Sequence, residues 1–184
     1  LGLIDALYTR GQLQLEYEST STRGAGATFD KKSGNCLSLM IMTAAFAREL
    51  GLTPIFQNVQ IADTWTRTEG LYVSNMHVNL KLENPMDDTG GKLVVDFLPP
   101  EDVVGRRTRR ISQEMVEAMY LNNRAAEALA NGRIVDAYWW ARKAVAENPA
   151  YTPAINTLGV VYQRRGQLAL AEQAYRFVLA QEAD

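Results

Sequence analysis

The chain has 184 residues, 47% of them apolar, with 19 basic and 21 acidic side chains and a formal net charge of −2. That length buries a real core in one large or two small domains, and the acidic balance argues against a general nucleic-acid binder, which shows as a basic surplus. A single cysteine excludes an internal disulfide, and no apolar run reaches membrane-spanning length.

The sequence opens on Leu1 without a charged lead-in to an apolar targeting segment, and it reads as a piece excised from a longer protein. Leu1 to Tyr8 predicts a short helix, and Gln12 to Tyr17 alternates as a strand does. Glu18 to Lys32, rich in Ser, Thr and Gly, reads as loop. Ser33-Gly34-Asn35 then supplies capping residues directly before an apolar run, which predicts a helix from about Cys36 to Leu50, stopped by Gly51 with Pro54 beyond. Leu37, Leu39, Met40, Ile41, Ala44, Ala45, Phe46 and Leu50 cover most of its circumference. Such a helix is buried on most sides and packs on a sheet.

Three strands supply that sheet: Ile55 to Ala62, Leu71 to Glu83 and Lys92 to Phe97. In the second, Met76, Val78, Leu80 and Leu82 alternate with Asn75, His77, Asn79 and Lys81, which puts His77 on a polar face. The run from Asn84 to Gly91 is turn-forming and predicts a hairpin. Folding it about its middle pairs residues whose numbers sum to roughly 173 to 175, so His77 and Asp96 become opposite or diagonal neighbours on one face. Trp65 and Tyr72 fall near strand ends, where aromatics either line a groove or pack an edge.

The texture changes at Pro99-Pro100, after which nearly everything has helical period. Two domains are expected, 1–105 and 106–184. The cluster Arg106, Arg107, Arg109 and Arg110 lacks flanking aromatics and reads as a solvated linker pairing with nearby carboxylates. Beyond it lies an internal repeat: Gly132 and Gly166 are 34 residues apart, as are Ala137 and Ala171, and each glycine separates two amphipathic helical segments. Two such units are few for a free-standing array, so they dock on the first domain or continue past Asp184. Tyr138, Trp139 and Trp140 belong to a domain interface or, where exposed, to a peptide-binding surface.

Cys36 is the only cysteine and His77 the only histidine. A free thiol, with a pKa of about 8.5, is only a few per cent thiolate at neutral pH. A helix start adds about 1 kcal/mol when exposed, so a committed nucleophile needs an imidazolium beside it, and His77 is the one candidate. Asp96, flanked by Val94, Val95 and Phe97, is a carboxylate in apolar company, costly unless it accepts a hydrogen bond. Holding the imidazole in the tautomer that faces sulfur would satisfy it.

Gly34-Asn35-Cys36-Leu37-Ser38-Leu39 opening a long helix, Met76-His77-Val78 on one strand and Val94-Val95-Asp96-Phe97 on the next resemble the transglutaminase-like superfamily of thiol enzymes over about Leu15 to Pro100. Leu158-Gly159, Tyr162, Gly166, Ala171 and Tyr175, with Ala137, Ala144 and Pro149 in the earlier copy, resemble tetratricopeptide repeats, and that combination points to the bacterial branch. The resemblance implies an α+β fold: a papain-like core whose buried helix carries Cys at its start and lies on an antiparallel sheet, followed by an all-α repeat region. It implies Cys36 as nucleophile, His77 as general base and acid, and Asp96 as the orienting residue. The backbone amide of Cys36 would help hold an oxyanion, with Asn35 either a side-chain helper or a helix-start residue.

The implied chemistry is attack on an amide carbonyl, a thioester, then release to water or an amine, with a protein or peptide as substrate and a protein partner engaged by the repeats. Glu83, Asp87 and Asp88 lack the spacing of a calcium loop, so neither metal nor cofactor is expected. Cytoplasm and periplasm stay open. The alternative is a module that has lost turnover and works as a protein-interaction scaffold through its repeats.

Overall fold

The computed structural model describes residues 15–60, 65–68, 71–74, 76–84 and 92–182. The expected helix Leu1 to Tyr8, the start of the strand from Gln12 and most of the turn before Gly91 lie outside the described residues. The chain divides into two compact units, Leu1–Ile111 and Ser112–Asp184. The first mixes helices with strands, and the second is helical.

In the first unit the described elements are β1 (Glu16–Tyr17), α1 (Ala25–Lys31), β2 (Ser33–Gly34), α2 (Cys36–Glu49), β3 (Thr53–Val59), β4 (Trp65–Thr68), β5 (Leu71–Ser74), β6 (His77–Glu83), β7 (Lys92–Val95), α3 (Pro100–Val103) and β8 (Thr108–Arg110). A four-stranded sheet runs in the order β7-β6-β3-β8, every neighbour antiparallel. α2 packs on β6 and β3. Leu37, Leu39, Met40, Met42, Ala44 and Ala47 on α2 are buried, as are Val78, Leu80 and Leu82 on β6. Removing these side chains from water is the main force holding helix to sheet.

Three expectations need correction. Glu18 to Lys32 is not all loop, because Ala25–Lys31 forms α1. Its composition is weakly helical, but Thr28 is fully buried and bonds back to the Gly24 carbonyl at 2.9 Å, while Phe29 meets Phe46 of α2 edge-on at 5.8 Å. Tertiary packing decides here. The long strand Leu71 to Glu83 is two: β5 pairs with β4 in a separate ribbon, and β6 pairs with β3 and β7. The ladder changes partners, so the strand breaks between Ser74 and His77. The arginine cluster is no linker, since Thr108–Arg110 adds to the sheet as β8, with Gln57 opposite Arg110 and Val59 opposite Thr108. The unit therefore ends at Ile111, past the expected 105/106 division.

The second unit is two helical hairpins, α4 (Gln113–Ala130) with α5 (Ile134–Glu147) and α6 (Thr152–Arg164) with α7 (Leu168–Glu182). Both turns place a glycine in the left-handed region, Gly132 at φ 70° and Gly166 at φ 72°. Only glycine takes that conformation without steric cost, so the 34-residue recurrence is a recurrence of turn geometry. Ala118, Ala125, Ala137, Ala141, Ala144 and Ala154 are all fully buried, a small-residue seam that lets the helix axes approach. Each aromatic of the Tyr138-Trp139-Trp140 run has a guanidinium over its ring, from Arg165, Arg142 and Arg124 respectively, and Trp139 stays 59% exposed.

Candidate active site

The position of Cys36 is set by the two residues before it. Asn35 is the N-cap of α2, its Oδ1 accepting from the Ser38 amide at 2.9 Å and from the Ser38 hydroxyl at 2.8 Å. Its Nδ2 donates to Thr22 Oγ1, and the Arg23 amide donates to Ser38 Oγ. Asn35 therefore works as a helix-start residue. Gly34 is buried where a Cβ would stand 2.7 Å from Ser38 Cβ, so only glycine lets the chain pass under the helix start. Cap and steric fit together put Cys36 at the first turn, partly exposed.

β6 and β7 bring the other two groups together. Leu80 pairs with Val95 and Leu82 with Leu93, a register that continues to Asn79 opposite Asp96 and leaves His77 diagonal to it. β7 itself ends at Val95, one residue before the carboxylate and earlier than the expected Phe97. His77 Nε2 lies 2.6 Å from Asp96 Oδ1. Asn79 Nδ2 donates to Oδ2 at 2.9 Å, and the Leu98 amide donates to Oδ1 at 3.0 Å. The polar face expected of this strand is buried at its start: His77 and Asn79 are each only 4% exposed.

A hydrogen bond between the Cys36 sulfur and the same imidazole is among the causes that raise the His77 pKa. Nε2 is committed to Asp96, so Nδ1 is the nitrogen left for sulfur. Burial pulls the His77 pKa down, but the hydrogen bonds to Asp96 and Cys36 and the charges of both outweigh it and raise it to about 9. Burial likewise pushes Asp96 up, and His77, the Leu98 amide and Asn79 together bring it below the ordinary carboxylate value. Imidazolium and carboxylate form an ion pair at neutral pH.

Beside this constellation opens a cleft of about 260 Å³, lined by Leu15, Tyr17, Leu39, Asp96, Phe97 and Leu98 among others. The Tyr17 phenol is raised, first by burial and then by the Cys36 charge, against a hydrogen bond it accepts from the Cys36 backbone amide.

The three residues expected from the sequence, Cys36, His77 and Asp96, are thus brought together. Two neighbours had been passed over. Asn79 had a readable signal, since it shares the His77 face two residues on and its number completes the same hairpin sum with Asp96. Tyr17 had none, because a two-residue strand pairing with Ser33–Gly34 leaves no periodicity. The side chains of Trp65 and Tyr72, and Asp87 and Asp88, lie outside the described residues. Among those described, no three His, Cys, Asp or Glu side chains gather where they could hold a metal ion, and no helix is long and apolar enough to cross a membrane. Comparisons with protein-family models, curated proteins and solved structures find no match to this chain.

Proposed function

We propose that the first unit is a transglutaminase-like thiol enzyme with a papain-like core, acting on amide bonds of a protein or peptide. The observation that carries the reading is the order Cys36, His77, Asp96, one imidazole shared between sulfur and carboxylate. Nucleophile, base and orienting group in hydrogen-bonded series is what covalent acyl transfer requires.

In this reading the Cys36 sulfur, having passed its proton to His77, attacks the amide carbon, forming a C–S bond while the carbonyl oxygen takes the electron pair and is held by the Cys36 amide. The C–N bond then breaks, and the His77 imidazolium gives its proton to the departing amine. The neutral imidazole next takes a proton from water or an acceptor amine, which attacks the thioester and expels sulfur. Asp96 stabilises the charged ring at both stages without taking the proton. The test is alkylation of native Cys36 by iodoacetamide. Labelling of the folded protein that slows in His77→Ala supports the reading, and labelling that appears only after unfolding refutes it.

A second reading, a tetratricopeptide scaffold without turnover, has one observation in its favour: Trp139 is largely exposed on the helical unit. Exposed tryptophan is a common anchor for a partner. Binding of protein partners by a Cys36→Ala chain, with loss in Trp139→Ala, would support it.

A further inference from the structure

β8 is the last strand of its sheet and is paired on one side only. In the order β7-β6-β3-β8 its ladder partner is β3 alone. The Ile111 amide donates to the Phe56 carbonyl and the Gln60 amide to the Arg107 carbonyl, both at 2.9 Å. In an antiparallel ladder such bonded pairs recur at every second residue. Arg107, Arg109 and Ile111 therefore turn their backbone groups toward β3, and Thr108 and Arg110 turn theirs outward. Among the described residues, no group bonds the outward amides and carbonyls of these two.

Every residue from Val104 to Arg110 is exposed, and four of the seven are arginines: Arg106, Arg107, Arg109 and Arg110. Side chains alternate between the faces of a sheet, so Arg107 and Arg109 lie on one face of β8 and Arg110 on the other. None of the four forms an ion pair with a described residue. Glu101 and Asp102, just upstream in α3, do not serve them: Arg106 Nε meets only the Asp102 backbone carbonyl, at 3.3 Å. Glu83, at the end of β6, is held by Lys81 at 2.8 Å. A chain of net charge −2 thus gathers four unmatched cations beside open strand groups.

We propose that the outer side of β8 is a docking edge for an extended acidic segment of a partner protein, which adds a further strand to the sheet. The backbone of that segment takes the outward amides and carbonyls of Thr108 and Arg110. Its Asp and Glu side chains meet the guanidinium groups on the two faces. The ladder selects an extended chain, and the arginines select its sign. A nucleic acid would use the charges and leave the strand groups idle. The proposal stands apart from the thiol chemistry, since nothing in it uses Cys36.

The test is fluorescence anisotropy on the full chain with a fluorescein-labelled peptide, Thr-Glu-Glu-Val-Glu-Glu-Thr, whose carboxylates fall on both faces when it is extended. Its fully N-methylated counterpart keeps the charge and donates no backbone hydrogen bond. Binding of the first peptide is expected, weaker in the second by about fivefold for each backbone bond lost. Joint Arg107→Glu and Arg109→Glu should weaken it by at least about tenfold, because like charges then face each other. If that pair lowers the melting temperature, Arg110→Gln takes its place, with about a threefold loss expected for one exposed charge. No binding to the native chain would overturn the proposal. Equal binding of the N-methylated peptide would overturn it too, leaving charge attraction without an added strand. Unchanged affinity in a folded arginine variant, or tighter binding of an oligothymidylate of equal charge, would do the same.

Discussion

His77 and Asp96 meet diagonally across the β6–β7 pairing, Nε2 to Oδ1 at 2.6 Å, while Asn79, directly opposite Asp96 in register, holds the second carboxylate oxygen. The carboxylate is thereby gripped at both oxygens. Its orientation, and through it that of the imidazole, follows from where the hairpin register falls.

Asp96→Asn keeps the shape and removes the charge that stabilises the imidazolium. Turnover of p-nitrophenyl acetate should fall by roughly 10²- to 10⁴-fold, the range a positioned acid–base group contributes, while Asn79→Ala should cost about tenfold, the worth of one hydrogen bond to a charged group. Cys36→Ala should abolish turnover with the melting temperature unchanged. An active Cys36→Ala chain would remove the assignment.

The stability of the first unit should depend on pH at both flanks. His77 is raised from its ordinary 6.5 to about 9, so its contribution is complete below about 6.5 and is lost as pH climbs through about 9. Asp96 is lowered from 3.8, so its contribution is complete above about 3.8 and is lost as pH falls through the lower folded value. Thermal melts across that range should show a plateau between the two ordinary values and a decline outside it. In Asp96→Asn both declines should flatten, and unchanged slopes would show that the pair does not couple to folding.

Gly34→Ala drives a methyl into Ser38 at the helix start. The expected loss is about 1–3 kcal/mol, the usual cost of overpacking, read as a lower urea midpoint for the first unit. Iodoacetamide labelling of Cys36 should slow as the cap shifts. Asn35→Ala, which only unties the cap, should cost about 1 kcal/mol.

A chain cut after Gly105 loses β8 and leaves the outer edge of β3 unpaired, whereas one cut after Ile111 keeps the four-stranded sheet whole. The longer fragment should melt at the higher temperature and stay dispersed at concentrations where the shorter one aggregates. Equal melting points would show that β8 contributes nothing to the sheet.

What could be read from the sequence was whatever depends on local pattern. The cap before Cys36, the helix stop at Gly51, the hairpin sum linking His77 with Asp96 and the glycine recurrence in the helical unit each involve a few residues with strong preferences. What stayed illegible depends on partners far along the chain. Ala25–Lys31 is helical because Phe29 finds Phe46, and no window around it shows that. Arg109 and Arg110 look like linker until β3 is seen to need a neighbour. Tyr17 comes to lie opposite Gly34, two residues before Cys36, through two ladder rungs on Ser33 and Gly34, a juxtaposition with no sequence period.

β8 carries Thr108, Arg109 and Arg110 on the outermost rung of its sheet, all solvent-facing. A second copy approaching rung to rung would bring guanidinium groups against one another, and that repulsion weakens only when salt shortens its reach to a few ångströms. Crowded solutions of this protein should therefore resist strand-to-strand polymerisation along that border at low ionic strength and lose the protection in concentrated salt.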